Sequence, residues 1–120
     1  MQRLYDDPGD FEAMIRIYSA GEGGRDTPAY NGIRWDFSYA DDPETLYMIW
    51  PDFYDEHGDS LPTDQPLPVG IDLPARMVVL VKEMRKTVHR LRIREGVAFY
   101  CMEGPHRVAE GRVTRITNLF

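Results

Sequence analysis

Asp10-Phe-Glu-Ala-Met-Ile-Arg-Ile-Tyr-Ser19 decides how this chain is read. Phe11, Ala13, Ile15 and Ile17 point one way while Glu12, Arg16 and Tyr18 point the other, the period of two that a half-buried strand requires. Turn chemistry follows. Residues 21–32 contain Gly23-Gly24, Thr27-Pro28 and Asn31-Gly32, each supplying either backbone freedom or a fixed φ. Alternation then resumes, with Trp35, Phe37 and Tyr39 against Asp36 and Ser38, and a third strand is predicted over 45–50.

Further along, residues 76–82 and 97–102 are apolar runs of strand length. Between them, 87–93 alternates His89, Leu91 and Ile93 against Val88, Arg90 and Arg92, which predicts a strand; Met84, Val88 and Leu91 at helical spacing make a short helix over 81–91 the alternative. The last run, 106–117, is long for one strand, and Gly111 breaks its alternation, so a bulge or bend is expected there. Residues 51–74 are acidic and proline-rich, with Pro62, Pro66 and Pro68 denying donors to a continuous ladder. The predicted fold is all-β: one domain, residues 1–120, built as a small closed antiparallel β-barrel of about six strands with an irregular acidic insertion at about 41–74.

The composition fits a folded domain, with 42% hydrophobic and 28% charged residues in 120. One cysteine, Cys101, excludes an internal disulfide, and the N-terminus has no leader-like pattern. No apolar run approaches the roughly 20 residues of a membrane span. A cytoplasmic address without membrane association is the expectation. Charge is unevenly spread: residues 35–75 hold ten Asp or Glu and no Lys or Arg, whereas residues 76–120 hold ten Lys or Arg against four Glu. Such a split is either a solvated acidic loop compensated by a basic surface, or a face that steers a charged partner.

Glu22-Gly-Gly-Arg-Asp-Thr-Pro-Ala-Tyr-Asn-Gly-Ile-Arg34, preceded by the strand from Phe11 and followed by Trp35-Asp-Phe37, resembles the start of the C-terminal β-barrel domain of bacterial elongation factor Tu. There the family has Glu-Gly-Gly-Arg-His-Thr-Pro, then Asn-Gly-Tyr-Arg-Pro-Gln-Phe. Met77-Val-Val-Leu-Val81, Glu95-Gly-Val-Ala-Phe99, Glu103-Gly104 and Val108-Ala-Glu-Gly-Arg-Val113 resemble that barrel's last strands in the same order. The similarity covers roughly residues 11–40 and 75–118. It implies a barrel of the translation-factor C-terminal type. In the family this barrel helps hold the T-stem of aminoacyl-tRNA and packs on the GTPase domain and the exchange factor.

Carried over, the RNA-facing positions are Arg25, Asp26, Asp36 and the pair Glu103-Gly104. Asp26 stands where the family has His and Asp36 where it has Gln, so two contacts toward a polyanion have become anionic. The sequence has no Gly-x-x-x-x-Gly-Lys-Ser/Thr loop and no Asn-Lys-x-Asp motif, so GTP binding by this chain alone is not expected.

The remaining candidates concern binding. Arg25 and Arg34 have the forked geometry to grip a phosphate or carboxylate, or pair locally with Glu22, Asp26 or Asp36. Arg90 and Arg92, with Arg94, Lys82, Arg85 and Lys86, form the main basic patch, which binds RNA or an acidic protein, or else neutralises the acidic insertion. His57, His89 and His106 lack zinc spacing, and Asp52, Asp55, Glu56, His57 and Asp59 lack the order of a calcium loop, so neither metal nor cofactor is expected. Cys101 lies in an apolar strand and reads as a buried thiol. The sequence therefore predicts a non-catalytic module that binds another macromolecule, a protein first and tRNA or another RNA as the alternative.

Overall fold

Alternating apolar side chains bury one face of a strand, and here they bury one face of a whole sheet. The computed structural model describes residues 3–5 and 7–120. Six strands, β1 (Phe11–Ile17), β2 (Asp36–Tyr39), β3 (Ile49–Phe53), β4 (Asp72–Val79), β5 (Ala98–Glu103) and β6 (His106–Ile116), form one antiparallel sheet in the order β2-β5-β6-β1-β4-β3. The inward residues of β1, Phe11, Ala13, Ile15 and Ile17, meet Leu73, Ala75, Met77 and Val79 of β4 and a cluster of Phe37, Tyr39, Phe53 and Phe99. Phe37 stacks on Phe99 with centroids 4.5 Å apart and meets Phe11 and Tyr39 edge-on.

The sheet curls into a half-barrel and stays open, which corrects the closed barrel expected from sequence. Its edges, β2 and β3, do not pair as strands; β2 is bridged instead to Tyr47, just before β3, where Phe37 and Tyr47 exchange two backbone hydrogen bonds of 2.9 and 2.8 Å. At the far end of β3 the backbone of Phe53 is taken by other partners: its N–H donates to Asn31 Oδ1 at 3.0 Å, and its carbonyl accepts from Leu61 N at 2.8 Å. Side-chain and loop bonds thus cover an edge that closure would have removed.

Three elements differ from the sequence reading. The third strand lies at Ile49–Phe53, later than 45–50 and inside the segment read as an insertion, and it includes Pro51 because an edge strand tolerates a missing donor. Residues 87–93 are not a strand. Helical turns α1 (Lys82–Met84) and α2 (Arg90–Arg92) flank a π turn at Arg85–His89, so the helical alternative is correct and Arg90, Arg92 and Arg94 do not share a strand face. Finally, the register of β6 shifts opposite Glu12/Ala13 and Cys101/Met102, leaving Thr114 and Val108 as the extra residues, while Gly111 stays paired with both Ile15 and Phe99.

Gly111 serves packing instead. A Cβ built there would lie 2.4 Å from the Phe99 ring. Gly111→Ala should therefore displace Phe99 from its stack on Phe37 and lower the unfolding free energy by roughly 1–3 kcal/mol, as overpacked cores do, measured by urea denaturation. An unchanged midpoint would show that the ring has room to move.

Candidate interaction site

The turn between β1 and β2 is set by Glu22. Its carboxylate accepts from the Ser19 backbone N–H at 3.1 Å and from Arg16 Nη1 at 2.9 Å, and these bonds hold it below the usual carboxylate range. The 3-10 turn Ala20–Glu22 then folds back so tightly that Gly24 N donates to Ser19 O at 2.9 Å. A Cβ on Gly24 would stand 2.4 Å from the Tyr18 carbonyl oxygen, so only glycine fits. His106 Nε2 lies 2.6 Å from the Gly23 carbonyl and ties this turn to the β5–β6 hairpin.

Arg25 belongs to that junction. Its guanidinium pairs with Glu103 and donates to Thr27 Oγ1 at 3.1 Å, and Glu103 also accepts from the buried Trp35 indole N–H at 2.8 Å. Arg25 and Glu103, with Gly104 next in the chain, are thus brought together, but the two side chains are occupied with each other; Arg25 takes Glu103, and not Glu22, Asp26 or Asp36, as its carboxylate partner. Gly104 has φ +57°, the positive value that the first position of a tight type II′ hairpin requires. Asp26 is exposed. Asp36 lies half-buried opposite Met102, one residue from Glu103.

The other candidates sit elsewhere. Arg34 is exposed and stacks over the Trp50 ring at 4.8 Å. Arg92 lies over the Tyr39 ring at 3.9 Å and pairs with Asp41 at 2.5 Å, so one part of the basic patch does neutralise the start of the acidic segment. Arg90 Nε donates to the Leu119 carbonyl at 2.6 Å. These two mark the opposite end of the sheet from the Arg25–Glu103 junction, because the helical turns pack at Asp10, before β1 begins, and the junction lies beyond Ile17, where β1 ends.

Beside Arg25 the chain leaves a cleft of about 300 Å³, lined chiefly by Ile17, Ala20, Pro28, Pro66, Leu67 and Val69, with Asp26 also in its wall. Two backbone bonds hold its halves together: Leu67 N donates to Ala29 O at 2.8 Å and Gly70 N to Ile17 O at 2.9 Å. Proline at 66 and 68 stiffens the far wall, and Val69 is 52% exposed. Sequence reasoning noted these prolines only as strand breakers; which turn they would face, some 40 residues away, left no local signal.

Asn31, in contrast, is structural. Buried, it donates to Asp52 Oδ1 at 3.2 Å and to the Phe53 and Leu61 carbonyls at 3.0 Å each. Within the acidic run from Asp52 to Asp59, Asp52 is buried against Arg76 at 3.2 Å, and Asp55 Oδ1 accepts the His57 and Asp59 backbone N–H groups at 2.9 and 3.0 Å. Among the described residues no three His, Cys, Asp or Glu converge as metal ligands, and no helix is long and apolar enough to cross a membrane. Burial pushes the Cys101 thiol up to about 12 and the His89 imidazole down to about 4. No family model matches the chain.

Proposed function

We propose that the chain is a non-catalytic binding module of the elongation factor Tu C-terminal-domain type, and that it docks a protein through the cleft between residues 17–29 and 66–69. The cleft carries this reading: its volume suits one large apolar side chain of a partner, and mostly apolar walls with a few polar groups at one side are how such anchors are held. The family assignment is supported by the work its motif does here. Gly24 permits the close turn, Arg25 meets Glu103, and Asn31 fastens the loop to β3.

Protein is favoured over RNA because the charge of Arg25 is matched by Glu103, and that of Arg92 by Asp41, while Asp26 and Asp36 add anions beside the junction. A non-catalytic role is favoured because the most nucleophilic side chain, Cys101, is buried as a thiol, and the imidazole of His89 is buried against Tyr39.

Affinity capture from native cytosol, run in parallel with wild type and Val69→Glu, tests this. Val69 is exposed, so the variant keeps its fold, and a defined protein retained by wild type should be lost. Retention by both forms, or RNA as the bound species, would overturn the reading.

A further inference from the structure

The end of the sheet away from the cleft carries a concentration of positive charge. Residues 82–94 hold six Lys or Arg against one Glu. Three of these cations are matched by carboxylates: Lys82 with Asp7 at 3.3 Å, Arg85 with Asp10 at 2.6 Å and Arg92 with Asp41 at 2.5 Å. Lys86, Arg90 and Arg94 form no ion pair among the described residues. Arg90 donates to the Leu119 carbonyl at 2.6 Å, and Arg94 Nη1 donates to the carbonyls of Arg90 at 2.9 Å and Ile93 at 2.6 Å. Neutral acceptors fix where these guanidinium groups sit and leave their charge uncompensated.

Placement and exposure add to this. Lys86 and Arg90 lie in the helical turns, and Arg94 lies just past their end, where Ile93 turns extended and the Arg94 side chain folds back to the Arg90 carbonyl. Two large apolar side chains here are strongly exposed: Leu91 at 72%, next to Arg90 in the chain, and Phe120 at 68%, whose ring centre lies 5.9 Å from the Arg94 guanidinium. One exposed apolar residue is ordinary, but two such residues, each beside an uncompensated cation, are the combination that marks an interaction surface.

We propose that this basic end is a second docking surface, for an acidic amphipathic helix of a partner protein. Its carboxylates would face Lys86, Arg90 and Arg94, and its apolar side chains would cover Leu91 and Phe120. A polyphosphate uses the cations but gains nothing from Leu91, and the net charge of −6 repels a long polyanion while a short acidic helix meets only the local basic field. This surface is separate from the cleft and does not depend on it.

The test titrates the full chain, observed by amide NMR, with a synthetic helix carrying Glu at four-residue intervals and Leu on the same face. A scrambled peptide of the same composition and a tRNA serve as comparisons. Saturable shifts should centre on residues 86–94 and 119–120. Leu91→Ala should weaken binding about tenfold, and Lys86→Glu combined with Arg94→Glu should weaken it at least as much, with spectra confirming that both variants fold. The proposal fails if the shifts map elsewhere or are absent at low salt, if the scrambled peptide binds equally, if Leu91→Ala changes nothing, or if tRNA occupies the same residues more tightly. None of these outcomes bears on Val69, so the two surfaces are judged independently.

Discussion

Replacing Asp52 with Ala should lower the unfolding free energy by about 3–5 kcal/mol, the largest single-residue effect expected in this chain. Asp52 is 2% exposed, and its carboxylate accepts from Arg76 Nη2 at 3.2 Å, Ser60 Oγ at 2.8 Å, Asn31 Nδ2 at 3.2 Å and Leu4 N at 3.2 Å. Its removal takes a carboxylate partner from the 7% exposed Arg76, which also donates to the Gly58 carbonyl at 2.7 Å and to Ser60 Oγ at 3.2 Å, and takes the acceptor from Ser60, Asn31 and the Leu4 N–H. The penalty comes from weakening the compensation of a buried cation and not from the strength of the pair, so Asp52→Leu with Arg76→Met should recover much of the loss. Urea denaturation distinguishes these outcomes; a loss under about 1 kcal/mol in Asp52→Ala would show the site to be effectively solvated.

Acid should unlock the helical turns. His89 is 1% exposed, with Nδ1 2.6 Å from the Tyr39 hydroxyl, packed on the Tyr39 and Tyr47 rings, and facing the positive charge of Arg92, which itself pairs with Asp41. Burial first, and Arg92 second, lower its pKa from 6.5 to about 4. Between those values the unfolded chain binds a proton that the folded chain refuses, so stability is intact above 6.5 and falls as the pH drops toward 4. At about 1.4 kcal/mol per unit the loss is on the order of 3 kcal/mol. Asp10, raised by burial, acts in the opposite sense, because its folded form takes up a proton more readily. His89→Gln isolates the imidazole: its stability should fall less steeply than wild type over this range. Parallel slopes would mean that His89 is not the responsible group.

Much of the sheet is legible in the sequence, because alternation reports a buried face wherever a strand packs on one side only. β1, β2, β5 and β6 appear within a few residues of their expected places. What fails is decided by contacts distant in sequence. Residues 87–93 alternate well enough for a strand, yet Arg85 meets Asp10 and His89 meets Tyr39, 75 and 50 positions away, and these contacts place a helical segment there. Closure of the barrel likewise turned on whether β2 or the Asn31 side chain and Leu61 would claim the edge of β3.

The candidate site follows the same division. Turn chemistry marks Gly23-Gly24 and Asn31-Gly32 correctly as points of structural demand, and the charge split anticipates that Arg92 would meet an acid from residues 41–74. The partner of Arg25 is Glu103, 78 positions away, and the wall opposite Pro28 is built from Pro66 and Val69. Neither pairing has a periodicity to reveal it.

A photo-crosslinking side chain placed at Val69, with one at Met14 on the outer sheet surface as control, tests the docking cleft most directly in cells. The account predicts a discrete protein adduct from position 69 that position 14 does not give. RNA adducts from position 69, or the same adducts from both positions, would contradict it.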